Sequence, residues 1–485
     1  MSAFVVLIGC LGAAGILPAL VVARRSPALI FLAPLLGACM AGVAAGMELA
    51  AGGSLVTCYL AVAVTVNLAV IAWWLAAGRY RSWPSPPWTW SVLTAITVLG
   101  ALLIPLTALR AQLIGWDAHS IWITHALMVS GGHQDLFTAL RDPAYGFSNP
   151  DYPPLVPAVG ALAFAAFGPG SLHLAVDMTV LMNACALGVA GTGIAAMGNK
   201  GRPLTRIAAI AAAGAICIVG FAVAGKPGID GYADLMWAAA AVGAIIWGLV
   251  LPQSTQALVI AWICAAAASL TKNEGLTTAL IVLALIALRY RPLTGHRWQG
   301  RHAGNGSRGG AAAWQLAHWW AGRAAFVLVP ALPGLAWAGL IRLLGIHDAF
   351  FSIRSHESLG YRASTTVTGM AGYLTVVPIV LAVLAAGSIV LRRDRERSRF
   401  GNPAWLWTAC TASLAIIFAT YLFGGYEING WLRASAGRTT VFAQLLLYAE
   451  LTIWLVIAID AACGRADGER LSASPVAAQV PAGVP

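Results

Sequence analysis

Residues 269–278 read "SLTKNEGLTT" and lie inside an apolar run that extends from Ala257 to Leu288. A lysine, an asparagine and a glutamate need a reason to sit there, because an ionised group near a bilayer centre costs about 2.5–3.5 kcal/mol even on lenient insertion scales. The run is about 32 residues long, too long for one span of roughly 20 and short for two. It is either one long helix with a buried charged pair or two short helices whose tip is "TKNEG".

Composition supplies the setting. The 485-residue chain is 59% hydrophobic and only 10% charged, with a mean hydropathy of +0.79. A soluble domain carries about 25% charged residues, so the chain reads as an all-α polytopic membrane protein. The opening "MSAFVVLIGCLGAAGIL" has no basic n-region and reads as a first span rather than a cleaved signal peptide. The net charge of +11 marks cytoplasmic loops rather than nucleic-acid binding. The eight cysteines lie in or beside apolar segments with no CxxC spacing, which makes them core thiols rather than disulfide or metal ligands.

Apolar windows predict about 13 spans, near 3–22, 28–50, 54–77, 89–109, 171–197, 207–224, 234–250, 257–271, 275–288, 324–344, 369–391, 404–423 and 439–462. Most of the 29 Lys and Arg fall at Arg24–Arg25, Arg79 and Arg81, Lys200 to Arg206, 289–323, 392–399 and the tail, which the positive-inside rule makes cytoplasmic. The segment 153–168, "PPLVPAVGALAFAAFG", is too short to cross and would invert every later basic cluster if it did. It reads as an interfacial or re-entrant helix in a large external loop, 110–170. The same parity requires the run 257–288 to cross twice, so "TKNEG" becomes the recessed external tip of a hairpin. Polar backbone at that depth is tolerated only where it lines a protein cavity. The basic stretch 289–323 is a cytoplasmic loop, Gly-rich and flexible over 290–322, and 464–485 is a disordered cytoplasmic tail. Residues 1–88 form a three-span N-terminal extension and 89–463 the main membrane domain. No internal repeat is visible.

With sides assigned, the less ordinary polar residues gather on the outer face. Asp117 follows a span in "GWDAHSIWITH", where the bland reading is a helix cap beside interfacial Trp. "NPDYPPLVP" contains Asp151 and Tyr152, and its paired prolines explain an extended lead into a helix. "KPGIDGYADLMW" places Asp234 at the mouth of a span, which a polar turn and cap would also explain. "YEINGWLRASAGR" supplies Arg433 and Arg438 before the last span. His119, His125 and His133 match no zinc spacing. Asp117 with His119 is the pair that would hold a divalent metal, and no cofactor is otherwise indicated. Lys272, Arg433 and Arg438 together suit a phosphate, with Glu274 orienting or neutralising Lys272. Trp116, Trp122, Tyr145 and Tyr152 are aromatics of the kind that stack on a sugar.

These features resemble the polytopic C-type-fold (GT-C) glycosyltransferases, in particular the protein O-mannosyltransferase and aminoarabinose transferase (family 39-like) group of bacterial membrane proteins. The resemblance covers about 90–460 and rests on "GWDAHSIW", "DYPPLVP", "GYADL", "TKNEG" and "SAGR" in that order. It departs at Trp431-Leu432-Arg433, where relatives read Trp-His-Leu in another register. It departs also at Gly437, where an Asp is common, and in lacking paired acids in the first loop. The resemblance implies a membrane-embedded inverting glycosyltransferase of the cell envelope. Such an enzyme takes a sugar from a polyprenyl-phosphate carrier at the external face of the bacterial cytoplasmic membrane and passes it to a lipid, glycan or protein hydroxyl. Asp117 would be the general base, and Lys272, Arg438 and Arg433 would hold the donor phosphate. Asp234, Glu274, Asp151, Tyr152 and His119 would position sugar or acceptor. The rival classes are a transporter or flippase of a lipid-linked saccharide, in which charges line a path through both leaflets, and a non-catalytic scaffold.

Overall fold

The computed structural model describes residues 2–23, 26–76, 88–106, 114–289, 308–346, 356–374 and 404–472. It is all-α, with no strand among the described residues. The helices are α1 Ser2–Ala23, α2 Ala28–Ala51, α3 Leu55–Ala76, α4 Trp88–Leu106, α5 Thr124–Ser130, α6 His133–Arg141, α7 Leu155–Phe167, α8 Leu172–Met197 and α9 Pro203–Ala224. They continue with α10 Asp234–Ile245, α11 Thr255–Thr271, α12 Asn273–Arg289, α13 Arg308–Leu343, α14 Leu359–Tyr373, α15 Ala404–Phe423, α16 Ile428–Thr439 and α17 Val441–Ser472. Among the described residues nine helices are long and apolar enough to cross a membrane: α1–α4, α8, α9, α13, α15 and the stretch Ile428–Gly464 made by α16 and α17. The protein is therefore a multi-pass membrane protein.

Helix α10 is the axis. All twelve of its residues are buried, and α8, α9, α11, α12 and α17 surround it. Its sequence "DLMWAAAAVGAI" explains the arrangement, because a run of alanines lets several backbones approach closely, which is how helices associate where lipid removes the hydrophobic drive between them. Trp237, fully buried, stacks on Phe442 of α17 with centroids 5.7 Å apart. Helix α2 packs against α7, α8 and α11, so the three N-terminal helices share one continuous core with the rest.

The run 257–288 is a hairpin of two helices. Each has 17 residues, or about 25 Å, short of a hydrocarbon core of about 30 Å. Lys272 is the one residue between them and is extended at φ −159°, ψ 157°. Gln253 Nε2 donates to the Arg289 carbonyl at 3.1 Å, so the two far ends meet and the helices run antiparallel. Gly275 makes the tip possible. A Cβ there would fall on the Ala268 carbonyl oxygen across the hairpin.

Helix α7, 13 residues long, cannot span either. Nine of its residues are buried, between α2, α5 and α8 among others, so it is packed within the protein. Two expectations are corrected. The loop assigned to 290–322 is helical from Arg308 onward, where "AAAWQLA" outweighs the preceding glycines in helix propensity. The tail assigned to disorder from Gly464 continues as helix to Ser472. Most of the span at 369–391 and the basic clusters at 24–25, 79–81 and 392–399 lie outside the described residues.

Candidate functional site

Three helix termini and one loop bring five charged side chains to one end of the bundle. Asp234 is the first residue of α10 and Glu274 the second of α12. Both lie where unpaired backbone N–H groups and the helix dipole favour a carboxylate. Lys272 sits at the hairpin tip, with Nζ 2.8 Å from Asp234 Oδ1 and 3.3 Å from Glu274 Oε1. Arg438, in the last turn of α16, bonds Asp117 through Nη1, which also stands 3.8 Å from Asp234 Oδ2. The order Asp117–Arg438–Asp234–Lys272–Glu274 alternates in sign. Lys272 and Asp234 are buried, at 7% and 3% side-chain exposure, while Asp117 and Glu274 keep 20% and 26%.

Aromatic rings and amides brace this relay. Lys272 lies over the Tyr152 ring, 5.5 Å from its centroid, and Arg438 over Tyr232 at 5.1 Å. Such contacts strengthen as the cation is desolvated. Gly231, at φ +89°, turns the chain so that the Tyr232 hydroxyl accepts the Asp117 backbone N–H at 3.3 Å. Asn149, at φ 53°, adopts the left-handed conformation that Asn tolerates and leads into Asp151 and Tyr152. Asn273 donates to Asp151, whose carbonyl also accepts from Trp337 Nε1 at 2.9 Å. Burial holds the Tyr152 phenol well above its ordinary pKa, and it raises Tyr232 as well, so both rings stay neutral.

The relay heads a cavity of about 380 Å³, within the usual range for small-molecule sites of roughly 300–1,000 Å³. Trp116, Asp117 and Phe147 stand at its rim, Lys272 and Arg438 at its head, and α12 and α15 form its deeper walls. Tyr421 in the wall bonds Ser435 at 2.7 Å and Thr439 at 3.1 Å. A buried clasp sets α16 at the correct height. Arg362 donates to the carbonyls of Tyr421, Leu422 and Tyr426 and pairs with Glu357 at 2.6 Å, and Glu357 accepts the Ile428 N–H.

Of the residues expected from sequence, Asp117, Asp234, Lys272, Glu274 and Arg438 form the relay, and Asp151 and Tyr152 adjoin it. Two do not join. Arg433 is exposed, with Nε on the Asn429 carbonyl, because α16 presents Ser435, Arg438 and Thr439 to the cavity and turns 433 away. His119 is exposed, since the π-helical turn Ala118–Ile123 points it away from the cavity that Asp117 lines. Trp122 stacks on Tyr152 at 5.5 Å and is buried, which removes it as a sugar platform. A Cβ at Gly437 would press on the Tyr373 ring at 2.9 Å. Sequence reading missed Tyr232, Asn273, Tyr421 and Ser435. Tyr232, Asn273 and Ser435 lie inside quoted motifs, and only their contacts distinguish them from ordinary turn and helix-surface residues.

Asp117 and His119, the pair expected to hold a divalent metal, are not turned to one face. Asp117 is committed to a guanidinium, and among the described residues no three His, Cys, Asp or Glu side chains come together as a ligand set.

Family models, curated proteins and solved structures were each compared with the chain, and none matches. What stands on the residues alone is a multi-pass all-α membrane protein with an ion-paired, cavity-forming site at one end of its bundle.

Proposed function

We propose that the protein is a GT-C-like, membrane-embedded inverting glycosyltransferase. It moves a sugar from a polyprenyl-phosphate carrier to an acceptor hydroxyl of a lipid, glycan or protein at the external face of the bacterial cytoplasmic membrane. The observation that carries this reading is the pairing of one accessible carboxylate, Asp117, with a cation, Arg438, at the head of a cavity between helices. The finer architecture of about 13 spans belongs to the same proposal.

The charge count constrains how such a site works. Three carboxylates face two cations in the relay, so Lys272 and Arg438 are already engaged. Both carboxylates reach Arg438 at Nη1, which leaves Nη2 for a donor phosphate, and Asp117 is the more exposed of the two. A phosphate that draws on the guanidinium weakens its hold on Asp117 and frees the base. Asp117 then takes the proton of the acceptor hydroxyl, whose oxygen attacks the anomeric carbon as the bond from that carbon to the phosphate oxygen breaks. The electron pair leaves with polyprenyl phosphate. As the leaving phosphate gains one negative charge, Asp117 loses one by protonation. The site's net charge is therefore constant through the step, with Arg438 and Lys272 already oriented toward the growing charge. A single displacement inverts the anomeric centre.

The test uses purified protein in lipid with a panel of polyprenyl-phosphate sugars, following release of polyprenyl phosphate by wild type and Asp117→Asn. Release that the substitution abolishes supports the transferase. Transbilayer movement of an intact lipid-linked saccharide without release would instead establish the transporter.

A further inference from the structure

The cavity contains polar groups that the relay does not use. Ser413 of α15 is 2% exposed and lines the cavity, yet its hydroxyl has no hydrogen-bond partner among the described residues. Glu274 Oε2, on the facing helix α12, is likewise buried and unpartnered among them. Ser413 lies seven residues below Thr420 on α15, so the cavity descends about 10 Å along that helix. Between these two, Thr277 and Thr420 donate their hydroxyl protons to the carbonyls of Asn273 and Ile416 at 3.1 and 2.9 Å. Their lone pairs are what remain for a ligand.

The space between α12 and α15, from Glu274 at its relay end to Ser413 at its floor, therefore chiefly accepts hydrogen bonds. An isoprenoid chain offers no donors and would leave Ser413 and Glu274 unpaired. A phosphodiester has only acceptors and would leave Glu274 Oε2 unpaired. A polyhydroxylated ring supplies donors all around it. Polar groups at such depth are tolerated where protein walls surround them, as α12 and α15 do here.

Building on the donor reading above, we infer that the space between α12 and α15 is the sugar subsite. The carrier phosphate stays at the Arg438–Lys272 head, the sugar points down between the two helices, and Ser413 is a specificity-determining contact at its floor.

The experiment measures binding of farnesyl phosphate, farnesyl-phosphoryl mannose and farnesyl-phosphoryl arabinose to the full-length protein in nanodiscs. At least one sugar-bearing lipid binds tenfold or more tighter than farnesyl phosphate. Ser413→Ala weakens that lipid about fivefold, the loss of one buried hydrogen bond. Ser413→Leu fills the floor and erases the sugar increment, and both variants leave farnesyl phosphate within twofold of wild type. Ser413→Leu that retains the full increment overturns the subsite, as does an equal loss for all three lipids, which would put the isoprenoid there. Farnesyl phosphate bound with no sugar increment overturns this inference alone, whereas no binding of any lipid overturns the donor reading with it.

Discussion

Lys272 Nζ stands 2.8 Å from Asp234 Oδ1, which ties the tip of the α11–α12 hairpin to the first residue of the most deeply buried helix. Each has a second, longer ionic contact, Glu274 at 3.3 Å for Lys272 and Arg438 at 3.8 Å for Asp234, but both side chains are over nine-tenths buried. Removing one partner of such a pair costs up to about 3–5 kcal/mol, because the other buried charge is left only partly compensated. Lys272→Met should therefore lower the melting temperature markedly, and Lys272→Met with Asp234→Asn should recover a large part of the loss. Thermal unfolding of the four proteins in detergent measures this. Simple additivity of the two single losses would contradict the coupling.

Gly275→Ala should be more damaging than an ordinary Gly→Ala change in a helix, which on propensity alone stabilises. The added methyl meets the Ala268 carbonyl, a backbone atom that cannot rotate away. Overpacking of this kind costs about 1–3 kcal/mol. A melting temperature at or above wild type would show that the hairpin can open without loss.

Asp117→Asn and Arg438→Lys separate base from clamp. The amide keeps the shape but accepts no proton, so release of polyprenyl phosphate should fall by about 10²–10⁴ with binding retained. Lysine keeps the charge and loses the fork, so donor affinity should fall while residual turnover keeps its pH profile. The readout is kcat against KM for each variant.

His125 gives a pH dependence of stability. It is buried, and its Nε2 lies 3.0 Å from Ser148 Oγ, which donates its own proton to the Tyr145 carbonyl. The ring therefore donates from Nε2. Burial pushes its pKa down to about 4. The unfolded chain takes up this proton near pH 6.5, so stability is fully present above that value and is lost as pH falls toward 4, by about 3 kcal/mol at most. His125→Phe should be less stable at neutral pH but lose less between pH 6.5 and 4, read from melting temperatures across that range. Parallel curves for the two proteins would contradict the assignment.

Arg362 acts on the site from outside it. Its guanidinium holds the last carbonyls of α15 and, through Glu357, the start of α16, the helix that carries Arg438. Arg362→Ala should lower stability by about 3–5 kcal/mol and weaken donor binding as well. A loss of stability with donor affinity unchanged would show that α16 keeps its place without the clasp.

Membrane class, the hairpin and five members of the relay were legible in the chain itself. Bilayer thickness and the expense of intramembrane charge act on any sequence in the same way, so an apolar run broken by "TKNEG" admits few readings. What only the tertiary structure decided was partnership. Nothing local distinguishes Arg438 from Arg433, five residues apart, yet the pitch of α16 turns one into the cavity and the other to the surface. Asp117 meets Arg438 across 321 residues of chain, and Ser413 reads as one more small polar residue in a span until α12 is packed against it. Local sequence sets which backbone conformations and depths are affordable, but the approach of two side chains is fixed by the packing of whole helices between them.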